Sequence, residues 1–217
     1  RQIGALQFLR NLHPQAIYLS SGFGQNRQVP VSAEDLYVFR HRVLREAAYQ
    51  LLLPSQRADL HLGALRHLEQ FAGAQVSVAI ARELAEHATA ALAGGTDLGQ
   101  AHVAEVRAAQ IRLLRQWGEL ASNDWQNEEA ALAWAALAQV PGVAEPERAD
   151  AFLRAHVALT QIGRHTESIP PLESCRALLA CLDDSADSMR LRCRERLAQS
   201  SLHWLKAETQ PSYAAAA

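Results

Sequence analysis

The feature that most constrains this chain is a helical apolar period, interrupted by short turn signals, that runs from Phe39 almost to the end of the sequence. In the first such stretch the apolar residues fall on one side, at Val43, Leu44, Ala47, Ala48, Leu51 and Leu52. Segments rich in Gly, Pro, Asn, Asp and Ser separate the stretches: GGTD, SND, PGVAEPE, GRH and DDSADS. Short turns place successive helices side by side, so the pattern predicts a mainly α protein of stacked helical hairpins.

Breaking and capping residues predict the helix ends. Pro54 ends the first helix and Ser55 is a good N-cap for the second, which carries an apolar stripe at Leu60, Ala64, Leu65, Leu68 and Phe71. Further helices are predicted over roughly 76–93, 98–121, 127–140, 147–162, 169–182 and 186–207. Because 49% of the residues are apolar but only 6% are aromatic, the core must consist mostly of Ala and Leu. The tail, residues 209–217, is predicted to fray.

Residues 16–39 form the one strand-like region. The β-rich runs AIYLSSG and DLYVFRH flank a loop rich in Gly, Asn and Pro. This pattern predicts a small β-ribbon with a long loop. An isolated ribbon is marginally stable in water, so helices should support it.

The middle of the chain resembles a tetratricopeptide repeat, in which a W-x2-L-G-x2-Y run is followed by A-x3-F. Its positions fall on Leu114, Trp117, Gly118, Ala121, Ala130 and Trp134, and a second copy lies 38 residues further on. Small residues such as Gly118 would let two helices approach closely while Trp117 and Trp134 fill the space between them. Degenerate repeats of this kind would support a concave binding surface. The alternative is an unrelated helical bundle.

Composition and motifs exclude several function classes. A net charge of -2 gives no global attraction to nucleic acid or to an anionic membrane. Neither a G-x-x-x-x-G-K-[ST] loop nor a G-x-S-x-G elbow occurs, and Arg27 stands where G-x-G-x-x-G needs its third glycine. The sequence therefore predicts no catalytic site and no cofactor site. Three cysteines without C-x-x-C spacing favour a reduced, cytoplasmic setting.

Three groups of polar residues could carry a binding function. Glu83 and His87 lie one helical turn apart, with His61 and His67 on the preceding helix, but a zinc site needs three or four converging ligands. Packing of His61 and His87 at a helix interface is therefore expected, and no metal site is predicted.

The alternating arginines from Arg190 to Arg196 indicate a solvated face. The cluster Arg40, Arg42 and Arg45 stands where the ribbon meets a helix, as in the wing of a DNA-binding winged-helix domain.

The segment LYVFRHRVLREAAYQLLLPSQRADLHLGALRHLEQ resembles the region that follows the nucleotide-binding module in bacterial AAA-type signalling ATPases of the STAND class. Val43 stands where Leu is usual in that pattern. Eight other residues agree with it: Phe39, His41, Glu46, Tyr49, Leu52, Arg57, Leu60 and His61. The resemblance is clearest over residues 36–92 and fades to general tetratricopeptide similarity beyond 110.

The resemblance implies a winged-helix remnant with a joint helix over residues 1–53, a linking helical hairpin over 54–95, and tetratricopeptide-like repeats over 96–208. Phe39, Val43, Tyr49, Leu60 and His61 would fix the joint. Arg40, Arg42 and Arg45 would form a polar contact surface for the ATPase module. ATP and Mg are expected only in that upstream module, so this segment alone would not be an enzyme. It would be a regulatory segment that couples a nucleotide switch to a protein partner or inducer.

The alternative function is a DNA-binding transcription regulator fragment. It would use the ribbon loop, Arg27 and the cluster from Arg40 to Arg45. No run of apolar residues is long enough to span a bilayer, so no membrane partner is expected.

Overall fold

The structure is a computed structural model that describes residues 41–72, 76–93 and 100–209. All regular structure in these residues is α-helical, with no strand among them, in agreement with the predicted mainly α class. The predicted ribbon, Phe39 and Arg40 lie outside the described residues. The helices are α1 Arg42–Gln50, α2 Pro54–Ala72, α3 Val78–Ala93, α4 Gln100–Asn123, α5 Asn127–Gln139, α6 Glu145–Gln161, α7 His165–Cys181 and α8 Ala186–Thr209.

The chain divides into two compact units after Leu53. In the first unit, several apolar side chains on α1 and directly after it are exposed to solvent, among them Val43 at 78% and Leu51 at 86%. Val43 is therefore exposed among the described residues, and its predicted role in fixing the joint stays a prediction. Tyr49, on the same helix, is partly buried.

In the second unit each helix packs chiefly against the helix before it and the helix after it, and α6 also contacts α8. One apolar cluster extends from α2 to α6, and a second joins α6, α7 and α8. Ala81, Ala85 and Ala88 on α3 are completely buried. Alanine at such positions lets helix backbones approach closely, as the composition predicted.

The buried side of α2 agrees with the predicted one in part, since Leu65 is buried and Leu68 packs against the apolar cluster. Ala58, Leu62 and Leu65 are buried at spacings of four and three residues, whereas Leu60 is 57% exposed. At about 100° per residue, Leu60 points away from Leu62. Leu60 therefore lies off the buried stripe of α2, and its predicted role at the joint stays a prediction.

The start of α7 also differs, since the structure begins this helix at His165 and continues it through Pro170 and Pro171. The sequence predicted a start at roughly 169, directly before Pro170. The additional first turn is held by Ser168, which is completely buried. Its hydroxyl donates to the carbonyl of His165, and its own carbonyl lies 2.9 Å from Nδ1 of the buried His156.

The helices α4 and α5 approach each other closely at Gly118. A Cβ placed on Gly118 would lie 2.6 Å from Cε2 of Trp134. Trp134 is only 3% exposed, and its Nε1 donates to Oγ of Ser122 at 3.1 Å. Trp117, Ala121 and Ala130 are also buried at this contact.

We expect Gly118→Ala to lower the free energy of unfolding by about 1–3 kcal/mol, because the added methyl group collides with an indole that is fixed on several sides. The matched control is Gly63→Ala, since nothing lies within 4 Å of a Cβ at that helical position. Gly63→Ala should instead raise stability by about 1 kcal/mol. Urea denaturation followed by circular dichroism measures both. An equal gain of stability in both variants would show that the indole of Trp134 moves aside to make room for the added methyl group.

Candidate interaction groove

Two consecutive hairpins in the second unit share one register. The α4–α5 hairpin turns between Asn123 and Asn127, and the α6–α7 hairpin turns between Gln161 and His165, each end 38 residues after its counterpart. This is the displacement that the tetratricopeptide pattern gave. The side chains before the turns repeat as well, since Ser122 donates to the carbonyl of Gly118 and Thr160 donates to the carbonyl of His156.

The first turn closes α4 with two backbone hydrogen bonds. The N–H of Gln126 donates to the carbonyl of Ala121 at 2.9 Å, and the N–H of Trp125 donates to the carbonyl of Ser122 at 3.4 Å. Such a pair of bonds is the Schellman arrangement, in which the residue after the helix adopts a left-handed conformation and is usually glycine. Here that residue is Trp125, with φ of 59°.

The second turn closes α6 in the same way but with glycine. The N–H of Arg164 donates to the carbonyl of Leu159 at 2.9 Å, and the N–H of Gly163 donates to the carbonyl of Thr160 at 3.0 Å. Gly163 has φ of 77°. The two turns therefore have equivalent backbones and differ at the left-handed position, where one has tryptophan and the other has glycine.

Trp125 is an unusual residue for its position. A left-handed backbone costs a residue with a side chain roughly 1–2 kcal/mol, and Trp125 is 78% exposed, so burial of its indole offsets little of that cost. Strain of this kind, held in place by surrounding structure, is a sign of a functional position. Trp125 belongs to none of the sequence motifs described above. Aligning the chain with itself at 38 residues would have placed it opposite Gly163.

Trp125 borders a cavity of about 400 Å³ between α4, α6 and α8, which we call the Trp125 groove. Its lining residues come from the end of α4, the following turn, the start of α5, and the facing sides of α6 and α8: Ser122, Trp125, Asn127, Arg154, Val157, Ala158, Gln161 and Arg194. The lining combines apolar, amide and guanidinium groups. No Asp or Glu is found among these described lining residues.

The two arginines of the groove are held by one carboxylate. Asp150 accepts from Nε of Arg154 at 2.6 Å through one oxygen and from Nη1 of Arg194 at 2.5 Å through the other. The guanidinium of Arg154 also lies over the ring of Trp134, 4.7 Å from its centroid. Arg154 is therefore positioned by both a charge and an aromatic face before any ligand arrives.

A second cavity, of about 230 Å³, shares Arg154 with the groove. Its lining includes Arg115 and three carboxylates, from Glu119, Glu147 and Asp150. Arg115 donates to Glu147 there. The excess of positive charge is therefore a property of the Trp125 groove and not of this neighbouring cavity.

The predicted solvated arginines on α8 have distinct partners. Arg190 contacts Asp187 and Arg192 contacts Asp184, both within or next to α8. Arg194 reaches Asp150 on α6 instead and lines the groove. Of the predicted polar contact surface near the joint, Arg45 is exposed on α1.

His61 and His87 pack against each other between α2 and α3, as the sequence predicted. Their Nδ1 atoms lie 2.8 Å apart and their ring centroids 5.1 Å apart. One ring must donate and the other accept, so at least one is neutral while this bond exists. Burial, and then the charge of His87, lowers the pKa of His61. Across the described residues, no group of three or more His, Cys, Asp or Glu side chains is arranged to hold a metal ion.

The chain matches no family model, no curated protein and no solved structure. None of the helices in the described part of the chain combines the length and apolar character that a membrane span requires.

We expect Trp125→Gly to leave the free energy of unfolding unchanged or to raise it by up to about 1 kcal/mol. Relief of the left-handed strain is partly offset by the greater freedom of glycine in the unfolded chain. Gly163→Ala, at the equivalent turn, should lower stability by about 1 kcal/mol because alanine takes on that strain. Thermal unfolding compares the two. A loss of stability in Trp125→Gly would show that the indole packs on the chain.

We expect stability to depend on pH through His61. Because the pKa of His61 is lowered in the fold, the unfolded chain binds its proton first as the pH falls. The stability that neutral His61 contributes to the fold is complete above the ordinary histidine pKa of about 6.5, and it is lost as the pH drops through that value. Urea midpoints from pH 7.5 to 5 should therefore fall more steeply for the natural chain than for His61→Gln. Parallel profiles would contradict the assignment.

Proposed function

We propose that this chain is a non-catalytic protein-interaction segment, built from tetratricopeptide-like helical hairpins, that binds an extended segment of a partner in the Trp125 groove. We further propose that it belongs to a larger signalling ATPase of the STAND class, in which it couples a nucleotide switch to the sensing of a partner or inducer. A small β-ribbon from a winged-helix remnant would precede the helices.

The observation that carries the interaction role is the repetition of the hairpin turn. Because α4–α5 and α6–α7 share a register of 38 residues, α4 and α6 are equivalent first helices of successive hairpins. These two helices and α8 line the same groove. Stacked hairpins of this kind present their first helices on an extended surface, which repeat proteins use to bind other proteins. This arrangement supports the proposal of tetratricopeptide-like stacking.

The parent ATPase is supported by the resemblance around the joint. The matching residues from His41 to His61 fall on α1, on the break after Gln50 and on the first turns of α2. ATP and Mg would bind in the upstream module, and the chain itself would neither bind nor hydrolyse ATP. An in-frame G-x-x-x-x-G-K-[ST] loop upstream of the Arg1 codon would support this origin, and its absence would contradict it.

The interaction role predicts that the intact chain selects short peptides from a random library displayed on phage. After repeated rounds on the immobilised chain, the surviving peptides should share a sequence pattern, and they should compete with one another for one site. The control is the same selection carried out while the immobilised chain is kept unfolded in urea. The chain is refolded only when the bound phage are eluted. A selection that returns no shared pattern would contradict the interaction role.

A further inference from the structure

Trp125 is placed to contact something outside this chain. Its backbone is strained, its indole is 78% exposed, and the equivalent turn uses Gly163 to form the same hydrogen bonds. Folding of the chain therefore gains little from tryptophan at this position. Tryptophan is, however, among the side chains that contribute most to binding when a partner covers them.

The charge of the groove indicates the charge of the partner that would bind there. Arg154 and Arg194 bring two positive charges to the cavity, and both share the single carboxylate of Asp150. Each guanidinium has five N–H donors and gives one to Asp150 among the described contacts. Both guanidinium groups therefore have further N–H donors with which to bind a second anion. A carboxylate is a good match, because guanidinium groups bind it in a planar geometry.

The remaining lining shows what should stand next to that anion. Val157 is 41% exposed and Ala158 lies beside it, so one wall is apolar. With the indole of Trp125 at the border, this wall suits an aliphatic or aromatic side chain. A volume of about 400 Å³ lies in the range of small-ligand pockets and would hold a few side chains of an extended peptide.

We infer that the Trp125 groove binds an acidic peptide segment, with an Asp or Glu side chain on Arg154 and Arg194 and a neighbouring apolar or aromatic side chain against Trp125 and Val157. This inference rests on the proposed interaction function and specifies the chemistry of the partner. Arg154 is held by Asp150 and by the ring of Trp134. Little conformational entropy is therefore lost when it meets the peptide.

The test uses the peptides recovered from the phage library as fluorescein-labelled synthetic probes. We expect them to contain Asp or Glu beside an apolar or aromatic residue. Their affinity for the intact chain should fall at least about tenfold in Trp125→Gly and in Arg194→Gln, as for residues at the centre of an interface. Binding should also shift the tryptophan emission of the natural chain to shorter wavelength, and this shift should be weaker in Trp125→Gly.

Arg190→Gln is the matched control, because Arg190 lies on the same helix as Arg194 but pairs locally with Asp187. It should bind the probes as the natural chain does. Loss of binding in Trp125→Gly cannot be attributed to unfolding if its melting temperature is unchanged or raised. For Arg194→Gln, a circular dichroism melt serves the same purpose.

The outcomes separate the two proposals. Peptides that are neutral or basic, or whose binding is unaffected by Trp125→Gly, would overturn the acidic-peptide inference while leaving an interaction function. A library that yields no shared pattern would overturn both. Replacing Glu by Gln in a probe should abolish its binding. If phosphoserine in place of Glu strengthened binding more than about tenfold, the groove would be a phosphate site and the carboxylate assignment would be wrong.

Discussion

The packing of the Trp134 indole against the backbone of Gly118 sets the distance between α4 and α5, and the groove depends on this contact. Because the ring can approach a bare backbone, its Nε1 reaches Ser122 one turn further along α4. The ring also lies against the guanidinium of Arg154 from α6. A single aromatic side chain thus joins three helices, through a close contact, a hydrogen bond and a cation–π interaction.

From Arg154 the same set of contacts continues to α8. Asp150 lies one helical turn before Arg154 on α6 and binds Arg194 with its other oxygen. The surface ion pairs themselves add little stability, since exposed pairs typically contribute less than about 1 kcal/mol. Their effect is geometric. They hold two guanidinium groups at one wall of a cavity whose other walls are apolar or neutral.

The sequence predicted the helices well because their ends depend on local chemistry. The turn at SND led to a predicted start at 127 for α5, and DDSADS led to a start at 186 for α8, both as found. The side of a helix that becomes buried depends on its neighbours, and α2 has apolar residues compatible with two stripes. That ambiguity explains why the exposed Leu60 was grouped in one stripe with the buried Leu65. The early start of α7 depends on His156, which is distant in sequence, and local rules could not predict it.

The groove was harder to predict for the same reason. Asp150 and Arg194 are 44 residues apart and meet only because α6 and α8 pack together. From the sequence, Arg194 looked like one member of an alternating series in which Arg190 and Arg192 pair with nearby aspartates. Trp125 carried a signal in its register with Gly163, but that signal appears only when the two hairpin turns are compared. Local patterns therefore predicted the framework, whereas the site required tertiary contacts.

The shared geometry of the two turns also bears on how such an array can diversify. At the first turn, the left-handed position places the side chain of Trp125 beside the groove without burying it in the core. Exchanging glycine for a large residue there changes the contact surface at a cost confined to one peptide unit, because the hydrogen bonds of the turn use only backbone atoms. The Gly163 turn is then a vacant counterpart of the Trp125 turn. A new binding specificity could arise at that position by substitution of a single residue, with every helix interface left as it is.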